Sequence, residues 1–587
     1  MNVKQRIEKD LRAPISVSAV DICDYQYNGC FAQAKEQKKN PLELAQELAR
    51  NFKSSVAIAE AVAPGFVNFK VTDKALTTEM QKILKTGKLP LANYPVTEPA
   101  LRVANVCHPF VPKGNSPRTV FFDYGGANIA KELHVGHLRS PIVGEALKRV
   151  YEALGHKTYA DVYLGDWGLQ NGLILAELEA RGFIPLRHEG VARSDGVGVT
   201  LDLLNEVYPT ASKKKDSDAT FKARADEITL LMQQKKAPWF DLWKQMRKMS
   251  VAKIRENYNR LNCTFDFYNG ESDAQPYVDT VLDILKKKGL AYDSDNCLIM
   301  DVVKDSDTGP MPPIMLKKGN SGDLYATNDV ATIYMRARDF KPDEIIYLTD
   351  ARQSLHFEQV FRCAKLGGLV PASTTLTHIG YGTMNGKDGK PFKTRAGGTI
   401  KFEEVINLVT EAAQKRIPPL RLEGCLEGGV SEKIGVAALK FADLSNHVRK
   451  DYVFDIDRFT SFEGKTGPYI LYTIARINSL FKKSDTPPLG HPSSHRGGMS
   501  SEVRGIIVKV IKLADSYLSA ATNYTLNGIV DAAYALAAEF NLFYANTKIL
   551  AEPDTEKRQS YLALCEVVRI ALKAAMHTLA IEVVEEM

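Results

Sequence analysis

The sequence contains two histidines in the tetrapeptide His134-Val135-Gly136-His137. Their type and spacing suit the binding of phosphate groups and catalysis on them. They follow a β-prone run at 119–124 and precede a helical pattern. A loop between a strand and a helix presents backbone N–H groups and the helix dipole to phosphates. Gly136 would let a nucleotide approach the backbone, and both imidazoles would donate hydrogen bonds as charge develops in a displacement at phosphorus. The alternative is a pair of helix-capping or core histidines.

The segments around this loop predict the fold class that positions it. A second β run at 158–164 completes a strand, helix and strand, which is a βαβ unit and therefore part of a parallel sheet. Further strand signals at 298–303, 344–348 and 375–379 are expected to complete that sheet. The charged helical stretch at about 185–260 is too long for a crossover, so we expect an insertion on a Rossmann-like α/β domain.

At 587 residues the chain exceeds what one hydrophobic core serves, so three or more domains are expected. We predict an N-terminal α/β module with its linker over 1–117, a catalytic domain over 118–400 and a helical region over 401–587. A half-buried strand is expected within 64–70. Two apolar helical faces predict that the C-terminal region is a helical bundle: Ile470, Ile474, Ile477 and Phe481 on one, and Ile529, Ala533, Leu536, Phe540 and Tyr544 on the other.

Composition narrows the class of protein. Hydrophobic residues at 44% and charged residues at 25% are typical of a globular protein, and a net charge of +6 would tolerate an anionic partner. No run is long enough to span a membrane and the start lacks a secretory signal, so we expect a cytoplasmic protein. The 8 cysteines are scattered without zinc-site spacing, which predicts reduced thiols and no structural metal.

Four separated motifs together resemble the signature regions of the arginyl-tRNA synthetases. They are DYGGANIAKELHVGHLRS at 123–140, GDWGLQ at 165–170, YATND at 325–329 and RQSLH at 352–356. Segments at 443–445, 461–469 and 539–544 resemble the anticodon-binding domain of the same enzymes. The resemblance implies a class I aminoacyl-tRNA synthetase of bacterial type. It would have a Rossmann-like parallel sheet, an N-terminal α/β module and a C-terminal all-helical anticodon-binding bundle.

The resemblance also implies the reaction and its partners. L-Arginine and ATP, taken as its Mg²⁺ complex, would give arginyl-adenylate, and the arginyl group would then pass to an arginine-accepting tRNA for protein synthesis. Members of the family are mostly monomeric, and their exchange of ATP with pyrophosphate requires bound tRNA. The resemblance also implies little need for editing. A pocket built to hydrogen-bond arginine would leave its own buried polar groups unpaired if a competing amino acid bound, so the competitor is rejected.

The resemblance carries a set of arginine-binding residues onto this sequence. A planar guanidinium requires a carboxylate that accepts in bidentate fashion with a ring or hydroxyl beside it. Asp329 and Tyr325 are four apart, and thus on one helical face, and meet that requirement. Asn128 and Gln353 match positions that hold the α-amino and carboxylate groups of the substrate, and Asp123 matches a further acidic position. Taken singly, each would be interpreted as a surface or capping residue.

The second class I signature is degenerate in this sequence. It corresponds to residues 390–398, where Thr394 stands at the position of the usual second lysine. Several arginyl-tRNA synthetases share this departure and use a lysine just before the first signature, a position that Lys131 occupies here. Lys393, expected at the ATP, and Arg395 remain as partial substitutes. A further departure is Asn328, where the family commonly has arginine.

Contacts with tRNA are expected at both ends of the chain. In the N-terminal module, Phe66 would stack on an unpaired base at the outer corner of the tRNA while Asn68 reads its edge. The alternative is that Phe66 is a core residue and Asn68 a turn residue. Tyr544 is the candidate in the C-terminal bundle.

Three other functions are alternatives to arginine ligation. A small-molecule nucleotidyltransferase shares the histidine chemistry but needs neither the bundle nor the N-terminal module. A non-catalytic tRNA-binding relative would have lost His134, His137 or Asp329, and all three are present. The third is a synthetase for another amino acid, such as cysteine, glutamate or leucine. Cysteine enzymes need a zinc-binding thiol cluster, and leucine-type enzymes carry a large editing insertion. Neither feature is found between the motifs.

Overall fold

The computed structural model describes residues 2–18, 22–91, 117–183, 199–318, 325–390, 400–417, 429–484 and 499–587. The predicted site residues Lys393 and Arg395 lie outside these stretches, as does the side chain of Tyr325. Within them no helix is both long and apolar enough to cross a membrane.

The N-terminal residues form an antiparallel sheet with helices packed beside it. The strands are β1 (Ser16–Val17), β2 (Tyr25–Tyr27), β3 (Ala57–Val62) and β4 (Phe66–Val71), in the order β1-β2-β4-β3. The helices are α1 (Val3–Leu11), α2 (Cys30–Gln37), α3 (Pro41–Asn51) and α4 (Asp73–Thr86). Strand β4 confirms the strand expected within 64–70, and its Val67 and Phe69 are fully buried.

The predicted βαβ unit is present and carries the histidine motif. Its elements in chain order are β5 (Thr119–Asp123), β6 (Ala127–Asn128), a 3₁₀ turn (Val135–His137), α5 (Arg139–Ala153), β7 (Lys157–Asp161), β8 (Leu164–Gly165) and α6 (Leu169–Ala180). β5 pairs in parallel with β7, and β6 with β8. The motif therefore lies between a parallel strand and the start of a buried helix.

A helical segment interrupts the sheet where an insertion was expected. It contains α7 (Leu201–Ser217), α8 (Ala219–Gln233) and α9 (Trp239–Arg260), which pack on one another and on α6. Helix α10 (Glu271–Lys287) follows and starts beside β8, where Leu164 forms an isolated bridge with Gly270. The insertion therefore returns the chain to the carboxyl end of the central strands.

The strand predicted at 298–303 is present, but the prediction that it joins the parallel sheet was wrong. The run at 298–303 forms β10 (Cys297–Met300), which pairs antiparallel with β9 (Ala291–Ser294) and β11 (Ile314–Lys318) in a separate sheet. A β-prone run predicts a strand but does not name its neighbour. Here Asp295 and Asn296 both adopt positive φ, the conformation of a tight hairpin turn, so β10 folds back onto β9.

The parallel sheet is completed by the two later strands, as expected. Helix α11 (Tyr325–Phe340) leads to β12 (Glu344–Asp350), then α12 (Ser354–Leu366) and β13 (Thr375–Tyr381). The strand order is β13-β12-β5-β7, and every adjacent pair is parallel. Such a sheet gathers its ligand-binding residues at the carboxyl ends of the strands.

The C-terminal part is helical apart from one short strand pair. In chain order it contains β14 (Met384–Asn385), α13 (Phe402–Gln414), α14 (Val430–Leu444), β15 (Tyr452–Val453), α15 (Ile456–Phe459), α16 (Gly467–Lys482), α17 (Ser501–Asn523), α18 (Asn527–Asn546) and α19 (Thr555–Thr578). Both predicted apolar faces are confirmed, because Ile470, Ile474, Ile529 and Phe540 are fully buried.

A buried arginine ties the histidine motif to this helical region. Arg139, two residues after His137, has its Nε 3.1 Å from Oδ1 of Asp443 in α14. Its Nη1 donates to the carbonyls of Gly382 and Lys450, at 2.7 and 2.9 Å. Both side chains of the pair are almost fully buried, so the start of α5 and the stem helix α14 are held as one unit.

A second buried carboxylate holds the N-terminal module against α17. Asp515 accepts hydrogen bonds from the Tyr25 hydroxyl at 2.6 Å and from the Asn2 side-chain amide at 2.8 Å. Nearby, Arg504 pairs with Asp24 at 2.7 Å. Because burial raises the pKa of Asp515 to about 6, its ionised form depends on these donors.

Replacing Asp515 with alanine is expected to lower the free energy of unfolding by several kcal/mol. The change leaves the Tyr25 hydroxyl and the Asn2 amide buried without an acceptor, and each costs about 1–3 kcal/mol. Tyr25→Phe leaves one unsatisfied acceptor and should cost less. Urea unfolding of both variants tests this order, and an Asp515→Ala variant as stable as Tyr25→Phe would contradict it.

Candidate active site

A cavity of about 750 Å³ opens at the carboxyl edge of the parallel sheet. Its walls come from β5, β6, the 3₁₀ turn, β8, α10, α11, β12 and β13. It brings together seven predicted site residues: Asp123, Asn128, His134, Gly136, His137, Asp329 and Gln353. Residues from segments more than 200 positions apart therefore face one space.

The two histidines are held by backbone hydrogen bonds that fix their ring nitrogens. Nδ1 of His134 accepts from the N–H of Gly136, and Nδ1 of His137 accepts from the N–H of His134, both at 3.1 Å. A neutral ring that accepts at Nδ1 carries its proton at Nε2. A side chain at Gly136 would put its Cβ 2.9 Å from the His134 ring, so the turn requires glycine there.

Both rings stay uncharged at neutral pH. Burial lowers the pKa of His137 to about 3, and it also lowers the pKa of His134, with Lys131 contributing. Lys131 is thus brought next to the motif, and its ammonium lies 5.6 Å from the centroid of the Tyr208 ring in α7. The pair offers neutral N–H donors to an anion, with a lysine nearby.

The chain returns to this motif just after the degenerate second signature. The N–H of Val135 donates to the carbonyl of Ile400 at 3.1 Å, and the N–H of Phe402 donates to the carbonyl of Leu133 at 3.0 Å. These hydrogen bonds hold the start of α13 against the histidine turn. The predicted roles of Lys393 and Arg395, which precede Ile400, remain predictions.

Asp329 is a buried carboxylate in the cavity wall. Its Oδ2 lies 2.6 Å from Nε2 of His356, a residue of the fourth motif. Burial raises the pKa of Asp329, and the contact with His356 opposes that rise. Tyr325 is the first residue of α11, one turn before Asp329. Asn328 beside it is also buried, and its carbonyl accepts from the Thr332 hydroxyl at 2.7 Å.

Asp123 already has a partner within the protein. Its Oδ2 lies 2.6 Å from Nη1 of Arg336, whose Nη2 donates to Asp161 at 3.0 Å. Arg336 is fully buried, and its guanidinium carbon lies 4.7 Å from the Phe121 ring centroid. Burial raises the pKa of Asp123 to about 6 although Arg336 opposes the shift. Asp123 thus lines the cavity floor, and direct contact with a substrate stays a prediction.

Glu271 is a cavity residue that sequence reasoning missed. It is the first residue of α10, and its Oε2 accepts from the N–H of Trp167 at 3.1 Å. The pKa of Glu271 is raised to about 7, chiefly by burial and in part by the charges of Asp166 and Asp329. An acidic residue at a helix start is ordinarily interpreted as favourable to the dipole, so the sequence carries no signal of this role.

Two uncharged polar side chains, Asn128 and Gln353, also line the cavity. Asn128 sits against Gly165, where a Cβ would come within 2.1 Å of its Oδ1, so glycine leaves room for the Asn128 amide in this position. Gln353 ends a 3₁₀ turn that Asp350 caps by accepting from the N–H of Arg352 at 2.8 Å. These amides can donate and accept without adding charge.

The predicted tRNA contacts lie in the two terminal regions and do not line this cavity. The Phe66 ring packs on the edge of Phe31 with centroids 5.0 Å apart. Asn68 is buried, and its Oδ1 accepts from Gln26 at 2.9 Å, so it lies in the sheet and not in a turn. Tyr544 in α18 lies 5.1 Å from the Arg476 guanidinium. The tRNA roles of Phe66, Asn68 and Tyr544 remain predictions.

Three family models match successive parts of the chain. Residues 3–71 match the arginyl tRNA synthetase N terminal domain, and residues 470–587 match the DALR anticodon binding domain. Residues 106–456, more than half of the chain, match the catalytic domain of tRNA synthetases class I (R). The chain belongs to the arginyl-tRNA synthetases. The predicted fold class is confirmed with it.

Individual relatives agree with this assignment to the arginyl-tRNA synthetases. The arginine–tRNA ligase of Alkaliphilus oremlandii is 41% identical over 577 residues, covering 97% of this chain and 94% of the relative. That of Agathobacter rectalis is 39% identical with the same coverage. The arginyl-tRNA synthetase structures from Plasmodium falciparum and Thermus thermophilus superpose with TM-scores of 0.80 and 0.77 at 24% and 21% identity. They cover 100% of this chain and 98% and 99% of their own, and they show the shared fold.

His134→Asn or His137→Asn is expected to lower arginyl transfer to tRNA by about 100- to 1,000-fold, because each removes a preorganised donor to developing charge. His447→Asn is the matched control. His447 is exposed, and its Nδ1 also accepts from the N–H two residues ahead. Single-turnover rates measure the effect, and near-normal transfer by either cavity variant would remove that histidine from the chemistry.

Arginine binding is expected to strengthen by roughly tenfold between pH 6 and pH 8. The pKa of Glu271 is raised by burial to about 7, so the carboxylate is largely protonated at pH 6 and ionised at pH 8. Only the ionised form attracts a guanidinium. Calorimetric titration with arginine across this range measures the effect, and Glu271→Gln should abolish it. The same pH dependence in both proteins would place the titrating group elsewhere.

Proposed function

We propose that this chain ligates L-arginine to its tRNA in two steps within the cavity. An oxygen of the arginine carboxylate attacks the α-phosphorus of ATP, the bond to the bridging oxygen breaks, and pyrophosphate leaves. A ribose hydroxyl of the terminal tRNA nucleotide then attacks the carbonyl carbon of the adenylate, and AMP leaves. The observation that carries the proposal is a single cavity with buried carboxylates and a pair of neutral imidazoles in its walls.

The carboxylates favour a cationic amino acid. The charge of Asp329 raises the pKa of both Glu271 and Asp123, so Asp329 lies within electrostatic range of each of them. Burial disfavours their ionised forms, and a bound guanidinium would relieve that cost through charge-assisted hydrogen bonds. A neutral side chain of similar size would not compensate the burial of Asp329 and Glu271, which favours discrimination without an editing site.

The imidazoles suit the phosphates of ATP, which enters as its Mg²⁺ complex. His134 and His137 would donate from Nε2 as charge develops on the phosphoryl oxygens. Lys131 would supply a positive charge toward the pyrophosphate in place of the residue replaced by Thr394, with Lys393 and Arg395 assisting. Asn128 and Gln353, in the cavity wall, would bind the α-amino and carboxylate groups of arginine.

The remaining roles follow from the terminal regions. We assign Phe66 and Tyr544 to tRNA contact, because both rings are only partly buried and lie in the regions that match tRNA-synthetase modules. Asn68 is a weaker candidate because its amide oxygen already accepts from Gln26. The protein would act as a monomer in the cytoplasm, where aminoacylation supplies protein synthesis.

Asp329→Ala is expected to weaken arginine binding by about 30-fold or more, because it removes one partner of a buried charged pair. The affinity for ATP should change by less than about threefold, because the proposed partner of this carboxylate is the guanidinium of arginine and not a phosphate. Asp339→Ala, on the exposed end of the same helix, is the control. Steady-state kinetics with each substrate varied separates the two affinities. Equal losses for arginine and ATP would remove Asp329 from the specificity pocket.

A further inference from the structure

The start of helix α10 is held by a carboxylate from another part of the chain. Asp166, which follows β8, is fully buried. Its Oδ1 accepts from the N–H of Ser272 at 2.9 Å, and its Oδ2 accepts from the Ser272 hydroxyl at 2.7 Å. At Gly270 a Cβ would lie 2.6 Å from this carboxylate, so only glycine permits the approach. Asp166 thereby fixes the first turn of the helix that begins at Glu271.

One arginine of the insertion binds both this carboxylate and the turn that it caps. Nε of Arg247 in α9 donates to Oδ2 of Asp166 at 2.7 Å. Its Nη2 donates to Oδ2 of Asp273 at 2.6 Å and to the carbonyl of Tyr268 at 3.1 Å. The guanidinium thus contacts Tyr268 before α10, Asp273 in its first turn, and Asp166, which caps that turn.

These contacts bear on Glu271 through both position and charge. The Glu271 carboxylate accepts from the N–H of Trp167, the residue that follows Asp166, so a shift of the Asp166 loop moves its anchor. The negative charge of Asp166 also raises the pKa of Glu271. Arg247 lowers the pKa of Asp166, although burial is the larger influence on that group. Arg247 therefore supplies the positive charge that pairs with Asp166, the carboxylate whose charge acts on Glu271.

We propose that Arg247 is a positioning residue for substrate recognition, which acts through Asp166 to hold the Glu271 carboxylate in place for the guanidinium of arginine. The inference rests on the proposed function, because it takes arginine as the ligand of this cavity. It assigns the inserted helices a part in amino acid specificity, although Arg247 itself does not line the cavity.

The alternative is that Arg247 only stabilises the insertion, and substrate kinetics separates the two roles. Arg247→Gln is expected to raise the KM for arginine by about tenfold or more, because misplacement of a recognition group is costly. The KM for ATP and kcat should stay within about threefold of the parent values. Arg247→Lys keeps a charge beside Asp166 but loses the forked contacts, so its KM for arginine should fall between the two.

Arg260→Gln and Arg260→Lys are the matched controls. Arg260 lies in the same helix and pairs through Nε and Nη2 with Glu432 of α14, at 2.8 and 3.1 Å, away from the cavity. These variants should lose a comparable ion pair without a change in the KM for arginine. If Arg247→Gln does not fold, the contrast between the two lysine variants still decides the question.

A double-mutant cycle with Glu271→Gln tests the route of the effect. If Arg247 acts through Glu271, its substitution adds less than about threefold to the arginine KM once Glu271 is gone. Independent, multiplying effects would overturn the proposal, as would equal increases in the KM for arginine and ATP. Failure of the parent enzyme to bind arginine in calorimetry would overturn the proposed function and this inference together, whereas normal binding with a silent Arg247→Gln overturns the inference alone.

Discussion

The buried guanidinium of Arg336 is the interaction on which the cavity depends. A site for a cation must gather carboxylates, and burial makes each of them costly to ionise. Arg336 bridges Asp123 and Asp161 at the ends of two parallel strands, so these two acids are paired before any ligand arrives. The carboxylates of Asp329, which contacts His356, and of Glu271, which accepts from the N–H of Trp167, also line the cavity, and a bound guanidinium would lower their raised pKa values. The protein thus neutralises Asp123 and Asp161, two members of its acidic cluster, with the guanidinium of its own Arg336.

The rest of the molecule brings distant segments to this cluster. Arg139 joins the helix after the histidine turn to α14, and Asp515 joins the N-terminal module to α17. Arg247 links the insertion to the start of α10. Each junction is a charged group whose partner lies on another element. An error in any of these pairings leaves a buried charge unsatisfied, which favours one arrangement of the domains over others.

The features that could be predicted from the sequence are those encoded by patterns of neighbouring residues. The βαβ unit, the histidine turn and the helix that carries Asp329 depend on spacing within a few residues. Arg336 could not be found in this way, because it lies 213 positions from Asp123 in an ordinary helix. Glu271 resembles any acidic residue in a first helical turn. The partner of the run at 298–303 was misassigned because two residues with positive φ, and not the strand itself, decide where it pairs.

The most direct test of this account is an aminoacylation assay with each of the twenty amino acids, ATP and total tRNA. A cavity of buried carboxylates beside neutral imidazoles should esterify tRNA with arginine and with no other amino acid, because only a guanidinium pairs with Asp329 and Glu271 together. Esterification of tRNA by a different amino acid would contradict the account. So would transfer of AMP to a small acceptor in place of tRNA.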